Sequence, residues 1–155
     1  MSKELPSPNP DLILYGGSFD PPHQGHVDCL QFIRLQFPAA EIVVAPAVLP
    51  AATASTTKST QASFTDRIEM CRLAFSPIER IGVSLIEADL PQPNYTQQTL
   101  EYFSQKDQNA ELAFLIGQDQ LRNFPHWRNP LAILALSSIF AVTRQQDDQP
   151  SNSIT

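Results

Sequence analysis

Two histidines, His23 and His26, have the residue type and spacing that most clearly point to chemistry. They follow two glycines, an aspartate and two prolines, and their spacing of three residues places both imidazoles on one side of a first helical turn. Imidazoles beside the N–H groups that open a helix suit contact with phosphate. Two alternatives stay open: simple helix caps, and a metal pair completed by Asp20 or Asp28. A metal would need further ligands at recognisable spacing, and the other histidine, His126, lies far along the sequence.

The letters of this stretch, GGSFDPPHQGH (residues 16–26), exclude three better-known motifs. GxGxxG needs a third glycine, where this stretch continues with Phe-Asp-Pro-Pro. A Walker A loop needs Gly-Lys-Ser/Thr, which does not follow here. The nucleophile elbow G-x-S-x-G nearly occurs, but Asp20 replaces the glycine that the close crossing of strand and helix needs. A hydrolase of that kind is therefore excluded.

The elements that position the histidines are predicted by an alternation of apolar runs and helical segments. Five short apolar runs predict strands: residues 12–15, 42–45, 81–86, 112–116 and 139–142. Runs that are apolar on both faces are typical of a parallel sheet covered by helices. The prediction is an α/β fold with a doubly wound, parallel, five-stranded sheet of the Rossmann-like kind.

Four helices are predicted between these strands. Apolar residues at spacings of three and four line one face of residues 27–37, and a similar pattern covers residues 64–75. A third helix follows Tyr95, with Thr96 as its predicted cap. A fourth begins at Asn129-Pro130, a cap residue followed by the proline that is favoured at the first helical position.

The carboxyl ends of the strands are the expected binding edge, because doubly wound folds bind ligands there. Gly16 and Gly17 follow the first predicted strand at this edge. Without Cβ atoms they would permit a tight turn and let a ligand approach the backbone, while the N–H groups that open the next helix attract anions. The sequence therefore predicts an anionic ligand beside the two histidines.

Charge and composition narrow the class of protein. The 155 residues suffice for one domain, and the formal charge of −6 argues against broad nucleic-acid binding, which needs clustered Lys and Arg. No run of about 18 apolar residues predicts a membrane span, and the first residues lack the apolar core of a signal peptide. We expect one domain over residues 1–155 in the cytoplasm, with residues 1–10 and 145–155 flexible. Cys29 and Cys71 are expected to be buried free thiols.

GGSFDPPHQGH resembles the GGTFDPxHxGH signature of the HxGH nucleotidyltransferases. Three later segments are similar, in the same order and at similar separations, to the nicotinate-nucleotide adenylyltransferases of that superfamily: FTDRIEMCRLAF (64–75), EADLPQPNYTQQTLEYF (87–103) and LAFLIGQDQLRNFPHW (112–127). The resemblance extends over residues 11–144. The combination of YTxxTL with IGQD and the following tryptophan is more specific than the first signature alone.

The resemblance implies transfer of the AMP part of ATP to nicotinate mononucleotide in NAD biosynthesis, with release of pyrophosphate. Mg²⁺ would arrive with ATP, without metal ligands from the protein. The attacking phosphate monoester has a second pKa of about 6 and is mostly dianionic at neutral pH, so no general base is required. The protein must align two anions that repel each other and stabilise the charge on the departing pyrophosphate.

The same resemblance implies roles for individual residues. His23 and His26 would be catalytic and contact the ATP phosphates, with His26 nearer the α-phosphate. The implied ATP-binding residues are Gly16, Gly17, Ser18, Phe19, Lys58, Gly117, Asp119 and Arg144. For Lys58 an ordinary solvated lysine is an equal alternative, since Ser-Thr-Thr precedes it. Asp119 would accept hydrogen bonds from ribose hydroxyls, and it could also cap a short helix.

For the acceptor, the resemblance implies that Trp127 stacks on the nicotinate ring and that Tyr95 and Thr96 offer backbone N–H groups to its carboxylate. Taken alone, Trp127 would more often be a core residue. Arg67 matches a family arginine for which a structural role and a substrate contact both stay open.

The resemblance stops before the family's second signature, Ser-Ser/Ala-Thr-x-x-Arg, because no arginine follows Arg144. We expect the sequence to be a fragment, or a chain whose end was removed or replaced. Three alternatives stay open: a sister phosphopantetheine or cytidylyl transferase, a noncatalytic nucleotide-binding domain, and nicotinamide in place of nicotinate. No nucleic-acid or membrane partner is expected, self-association is open, and the loop at 47–63 is expected to be mobile or functional.

Overall fold

The computed structural model describes residues 9–48 and 60–143. The ends that were expected to be flexible fall almost entirely outside these residues, as do Lys58, Arg144 and most of the predicted loop at 47–63. In the part of the chain that is described, no helix is long and apolar enough to cross a membrane.

The centre of the fold is a five-stranded sheet in which each strand runs parallel to its neighbours. Its strands are β1 (Leu12–Gly17), β2 (Glu41–Pro46), β3 (Ile81–Val83), β4 (Leu112–Gly117) and β5 (Ser138–Val142). The spatial order is β3-β2-β1-β4-β5, so β1 lies in the middle and the sheet is extended from it in both directions. The predicted doubly wound α/β fold with five parallel strands is confirmed.

The helices of the described residues connect these strands. They are α1 (Gln24–Gln36), α2 (Phe64–Phe75), α3 (Ile86–Asp89), α4 (Thr96–Lys106), α5 (Gln118–Leu121) and α6 (Pro130–Leu136), with a 3₁₀ turn at Phe124–His126. The four predicted helices correspond to α1, α2, α4 and α6. The sequence pattern did not indicate α3 or the 3₁₀ turn, because neither is long enough to show a helical period.

Helices cover both faces of the sheet, so alternate residues of the central strand belong to different cores. Ile13 and Tyr15 pack with α1 and α2, whereas Leu14 packs with α4 and α6. Cys29 and Cys71 are buried free thiols in the first core, as predicted. Burial raises the pKa of the Cys71 thiol to about 12, so this thiol is protonated and unreactive at neutral pH.

The strand predicted at 81–86 is wrong in its second half. β3 ends at Val83, and a one-turn helix, α3, begins at Ile86. The hydroxyl of Ser84 accepts the N–H of Ile86 at 3.2 Å, which satisfies the backbone locally and turns the chain out of the sheet.

The predicted cap of the third helix is also wrong by one residue. Tyr95 is the N-cap of α4, and its backbone N–H donates to the side chain of Gln98 at 2.8 Å, so Thr96 is the first helical residue. The start of α6 is as predicted, with Asn129 as N-cap and Pro130 after it. The side chain of Asn129, however, does not cap the helix but donates to Gln97 at 2.7 Å.

Candidate functional site

The two glycines after the first apolar run lie inside a strand. Gly16 and Gly17 continue β1 and pair with Ala45 and Pro46 of β2. Neither has a positive φ, so the expectation that they form a tight turn is wrong. The absence of a side chain at Gly16 leaves room for the neighbouring strand, because a Cβ there would lie 3.3 Å from ring carbons of Phe114 on β4. A side chain at this position would therefore crowd the ring of Phe114.

The turn itself is made at Phe19, which has a φ of 48°. A residue with a bulky side chain adopts this conformation only when its surroundings hold it there. The ring of Phe19 is buried and lies 5.3 Å from the ring of Tyr15 and 4.9 Å from that of His26, measured between centroids. The side chain of Phe19 is therefore not available to a ligand.

The two histidines lie together at the start of α1. His23 is the N-cap and its Nδ1 accepts the N–H of Gly25 at 3.1 Å, while Nδ1 of His26 accepts the N–H of His23 at 3.0 Å. The rings stack with centroids 3.8 Å apart and planes 28° apart. The prediction that both imidazoles lie on one side of the first turn is confirmed.

These cap bonds fix the tautomer of both rings. Because Nδ1 accepts in each case, the proton of the neutral ring is at Nε2, the atom through which an imidazole can donate to a phosphate oxygen. The cap interpretation is thus correct, and it is compatible with ligand binding through the opposite ring atom. The first turn of α1 carries no acidic side chain, so nothing on it opposes an anion at the positive end of the helix dipole.

Arg67, for which a structural and a substrate role were both open, has a structural role. It is fully buried, and its guanidinium donates to four backbone carbonyls, those of Ser18, Ala47, Val48 and Ala62. The sequence offered one sign of this, since Arg67 precedes Cys71 by four residues and shares its buried helix face.

Asp20 supports the same region from the other side of the turn. Its carboxylate accepts the N–H groups of Gln61 at 2.6 Å and Ala62 at 2.9 Å. These two bonds hold the pKa of the Asp20 carboxyl below its usual value. Both carboxylate oxygens serve the backbone, and no group of three or more His, Cys, Asp or Glu that could hold a metal occurs among the described residues.

The end of β4 lies beside the end of β1 and carries Gly117 and Asp119. Gly117, not Asp119, is the N-cap of the short helix α5, so the predicted capping role of Asp119 is wrong. The carboxylate of Asp119 folds back over Gly117, where a Cβ would lie only 2.6 Å from Oδ1. A side chain at position 117 would displace this exposed carboxylate from its present position.

The start of α4 and the Trp127 segment meet on the other side of β4. The guanidinium of Arg128 lies 4.8 Å from the ring centroid of Tyr95, and Asn129 donates to Gln97. These contacts join the two predicted acceptor-binding segments at the carboxyl edge of the sheet.

Trp127 itself is half-buried and is held edge-on. Its ring lies 5.9 Å from Phe114 at an interplanar angle of 76°, and 5.4 Å from Phe124 at 59°. One part of the indole packs on the core, as the core interpretation expects, while the rest is exposed, so that ring stacking stays a prediction.

A cluster around Glu87 was missed by the sequence analysis. Glu87 on α3 accepts hydrogen bonds from Asn94 and from the hydroxyl of Thr99, which bind the same carboxylate oxygen. Burial raises the pKa of Glu87 above its usual value, against the effect of these two bonds. The cluster ties the residue before Tyr95 to α3, and thereby fixes where α4 begins.

Replacing Glu87 with glutamine is expected to reduce the pH dependence of stability. A raised pKa means that the folded state binds the proton more tightly, so Glu87 contributes stability below the usual Glu pKa and loses it as the pH rises through the folded value. The glutamine side chain cannot ionise, and its oxygen still accepts both bonds. The melting temperature of Glu87→Gln relative to the native protein should therefore rise by a few degrees between pH 5 and pH 8. Glu111→Gln, at an exposed site, is the control; a pH-independent difference for both variants would contradict this explanation.

Comparisons with known proteins found similar sequences and folds. Residues 14–154 match the profile of the family described as cytidylyltransferase-like. Proteins named "Probable nicotinate-nucleotide adenylyltransferase" include one from Chlorobium luteolum, which is 32% identical over an aligned length of 142 residues; the alignment covers 89% of this chain and 71% of the relative. Another, from Aquifex aeolicus, is 33% identical over 133 residues, 86% of this chain and 77% of the relative.

The fold is also that of solved structures. The Plasmodium falciparum nicotinic acid mononucleotide adenylyltransferase complexed with NaAD superposes with a TM-score of 0.71 at 20% identity, covering 90% of this chain and 67% of that one. At this identity the likeness concerns the fold.

Proposed function

We propose a function from the premise that this chain belongs to the cytidylyltransferase-like family, among the nicotinate-nucleotide adenylyltransferases. In this proposal the protein transfers the adenylyl group of ATP to nicotinate mononucleotide and releases pyrophosphate. The products are deamido-NAD and pyrophosphate, which places the reaction in NAD biosynthesis.

The observation that carries this proposal is the stacked pair of His23 and His26 at the end of the central strand. Because Nδ1 of each ring accepts a cap bond, the ring proton is at Nε2, from which it can be donated to a ligand. Two such donors, together with the N–H groups of the first turn of α1, match a row of phosphate oxygens better than they match a metal ion, which takes up lone pairs.

The reaction requires that the two substrates are aligned and that the charge on the leaving pyrophosphate is stabilised. The acceptor phosphate is dianionic near neutral pH and attacks the α-phosphorus without a general base, while the bond to the pyrophosphate oxygen breaks. His26 donates to the α-phosphate, and His23 donates to the departing phosphates. Because their rings are fixed by stacking and by cap bonds, little reorganisation is needed as charge moves to the leaving group.

Mg²⁺ is proposed to come with ATP and to neutralise charge on its phosphates. The residues around the histidines fit this arrangement, since the carboxylate of Asp20 accepts two backbone N–H groups and that of Asp28 accepts the side chain of Gln24. The protein's own part is therefore to bind the nucleotide rather than to supply the oxygen ligands that Mg²⁺ prefers. Asp119, exposed at the end of β4, is proposed to accept hydrogen bonds from the ribose.

The acceptor is proposed to lie between Trp127 and the start of α4. The exposed part of the indole offers a flat apolar face for a pyridine ring. The N–H of Thr96, in the first turn of α4, faces an anion favourably, whereas the N–H of Tyr95 already donates to the side chain of Gln98. The first turn of α4 has no acidic side chain, and Arg128 adds a positive charge over the Tyr95 ring. This setting favours nicotinate, which carries a carboxylate, over the neutral nicotinamide.

The preference for the acid is a testable prediction. The protein should use nicotinate mononucleotide with a kcat/KM about tenfold or more above that for nicotinamide mononucleotide, because the amide lacks the charge that the helix start and Arg128 stabilise. Steady-state rates with the two acceptors at saturating ATP measure the ratio. Equal efficiency would remove the start of α4 from the acceptor site.

The function as a whole is tested by pyrophosphate release. The protein is supplied with ATP, Mg²⁺ and, in turn, nicotinate mononucleotide or phosphopantetheine, with an incubation lacking any acceptor as the control. Release that depends on nicotinate mononucleotide supports the proposal. Release with phosphopantetheine would favour the sister transferase, and mononucleotide binding without turnover would favour a noncatalytic domain.

A further inference from the structure

We propose that Arg67 and Asp20 are positioning residues that hold the turn before the histidines in the shape that accepts phosphate. This inference rests on the proposed function, because it concerns the ATP side of that site. Neither side chain contacts substrate in the proposal. Their effect is exerted through the backbone that they hold.

Arg67 connects three stretches of chain that are far apart in sequence. Its guanidinium donates to the carbonyl of Ser18 after β1 at 2.8 Å, to those of Ala47 and Val48 after β2 at 2.6 and 2.9 Å, and to that of Ala62 before α2 at 3.2 Å. A guanidinium has five N–H donors in a rigid plane, and no other side chain could serve four carbonyls from one point.

Asp20 closes the same assembly from the turn itself. Its two carboxylate oxygens accept the N–H groups of Gln61 and Ala62, so that Ala62 is held by Asp20 at its N–H and by Arg67 at its carbonyl. The turn after β1 is thus fixed to the segment before α2 by two side chains of opposite charge. The Arg67 charge also favours the ionised form of Asp20.

The consequence for an anion follows from the geometry of the peptide unit. A peptide is planar and trans, so its carbonyl and the N–H of the next residue point in opposite directions. Since the Ser18 carbonyl is directed to the buried guanidinium, the N–H of Phe19 is directed away from that guanidinium. Arg67 therefore fixes the orientation of this peptide and keeps the Ser18 oxygen, which would repel a phosphate, bound to a buried cation.

The bond at Ser18 also explains how the unusual backbone of Phe19 is kept. The φ of 48° is held on one side by the buried ring of Phe19 and on the other by the fixed peptide between Ser18 and Phe19. Without Arg67 this peptide could rotate, and the preferred conformation of a phenylalanine would move the turn away from His26.

The chain offers a matched control in Arg34 on α1. Its guanidinium also donates to backbone carbonyls, of Phe37, Ala40, Glu79 and Arg80 among them, but these lie before β2 and β3, at the opposite edge of the sheet. Arg34 and Arg67 thus do the same structural work at the two ends of the fold. Only Arg67 lies at the edge that carries the histidines.

The experiment compares Arg67→Lys with Arg34→Lys by calorimetric titration with Mg²⁺-ATP, without acceptor, at a temperature where both variants are folded. Lysine keeps the charge but has one nitrogen, so each variant should lose several carbonyl bonds and melt at a lower temperature. We expect Arg67→Lys to weaken ATP binding about tenfold, and Arg34→Lys to leave it within about twofold. The KM of the acceptor should change little in either variant.

Unchanged ATP affinity in folded Arg67→Lys, or equal weakening in both variants, would overturn the proposal. If Arg67→Lys does not fold, Asp20→Asn takes its place, since Asn keeps one acceptor oxygen and should weaken ATP binding by a smaller factor, about threefold; unchanged affinity there overturns the proposal as well. Titration without acceptor separates this inference from the proposed reaction. A protein that binds ATP but does not turn over would contradict the proposed reaction and leave the inference about Arg67 and Asp20 standing.

Discussion

Replacing His26 with alanine should lower kcat/KM by about a hundredfold to a thousandfold, the usual loss when one donor to a developing charge is removed. The loss of folding stability should be small by comparison, about 1 kcal/mol, because the substitution removes one capping bond at a helix start. Rates of pyrophosphate release and a thermal or urea melt measure the two quantities on the same preparation.

The double role of His26 calls for a control that separates capping from catalysis. Glutamine at this position can accept the N–H of His23 in the way of a capping box, but it has no ring Nε2–H. His26→Gln should therefore regain most of the stability that His26→Ala loses, and little of its activity. Equal losses of stability and activity in His26→Ala, or recovery of activity in His26→Gln, would show that the imidazole serves only the helix.

Replacing Trp127 with alanine should raise the KM for the acceptor about fivefold to tenfold and leave the KM for ATP nearly unchanged. Stacking on an aromatic face contributes about 1 kcal/mol, and the contact is made only to the pyridine ring. An unchanged acceptor KM would remove Trp127 from the site.

Because Trp127 also packs against Phe114 and Phe124, the alanine variant will be less stable as well. Trp127→Phe keeps much of that packing and should lie between the native protein and the alanine variant in acceptor binding. A second measurement uses the native protein alone: Trp127 is its single tryptophan, so the acceptor should change the fluorescence of the protein more than ATP does.

Much of the fold could be predicted because strands and helices produce local patterns of apolar residues in the sequence. The apolar runs that became β1, β2, β4 and β5 are buried on both faces, and such runs have few other uses in a chain of this composition. The run at 81–86 misled, because only its first three residues find a partner strand, and a serine then offers the backbone an alternative.

The histidine pair could be predicted for the same reason: a spacing of three residues fixes two side chains on one helical turn wherever the helix lies. The supports of the site could not. Three of the four carbonyls that Arg67 binds and both N–H groups that Asp20 accepts come from distant segments, and no local pattern reports them. The positive φ of Phe19 was equally hidden, since two glycines beside it looked better suited to a turn.

The central place of β1 has a consequence for hydrogen exchange. A strand paired on both sides in the middle of a sheet opens only when the whole domain unfolds, so the amides of Ile13, Leu14 and Tyr15 should exchange slowest. The Trp127 region, built from short helical segments, should exchange by local opening at far lower cost. In the proposed site the nucleotide would thus bind beside β1, the most protected backbone of the protein. The acceptor would bind beside the Trp127 region, whose backbone opens more easily.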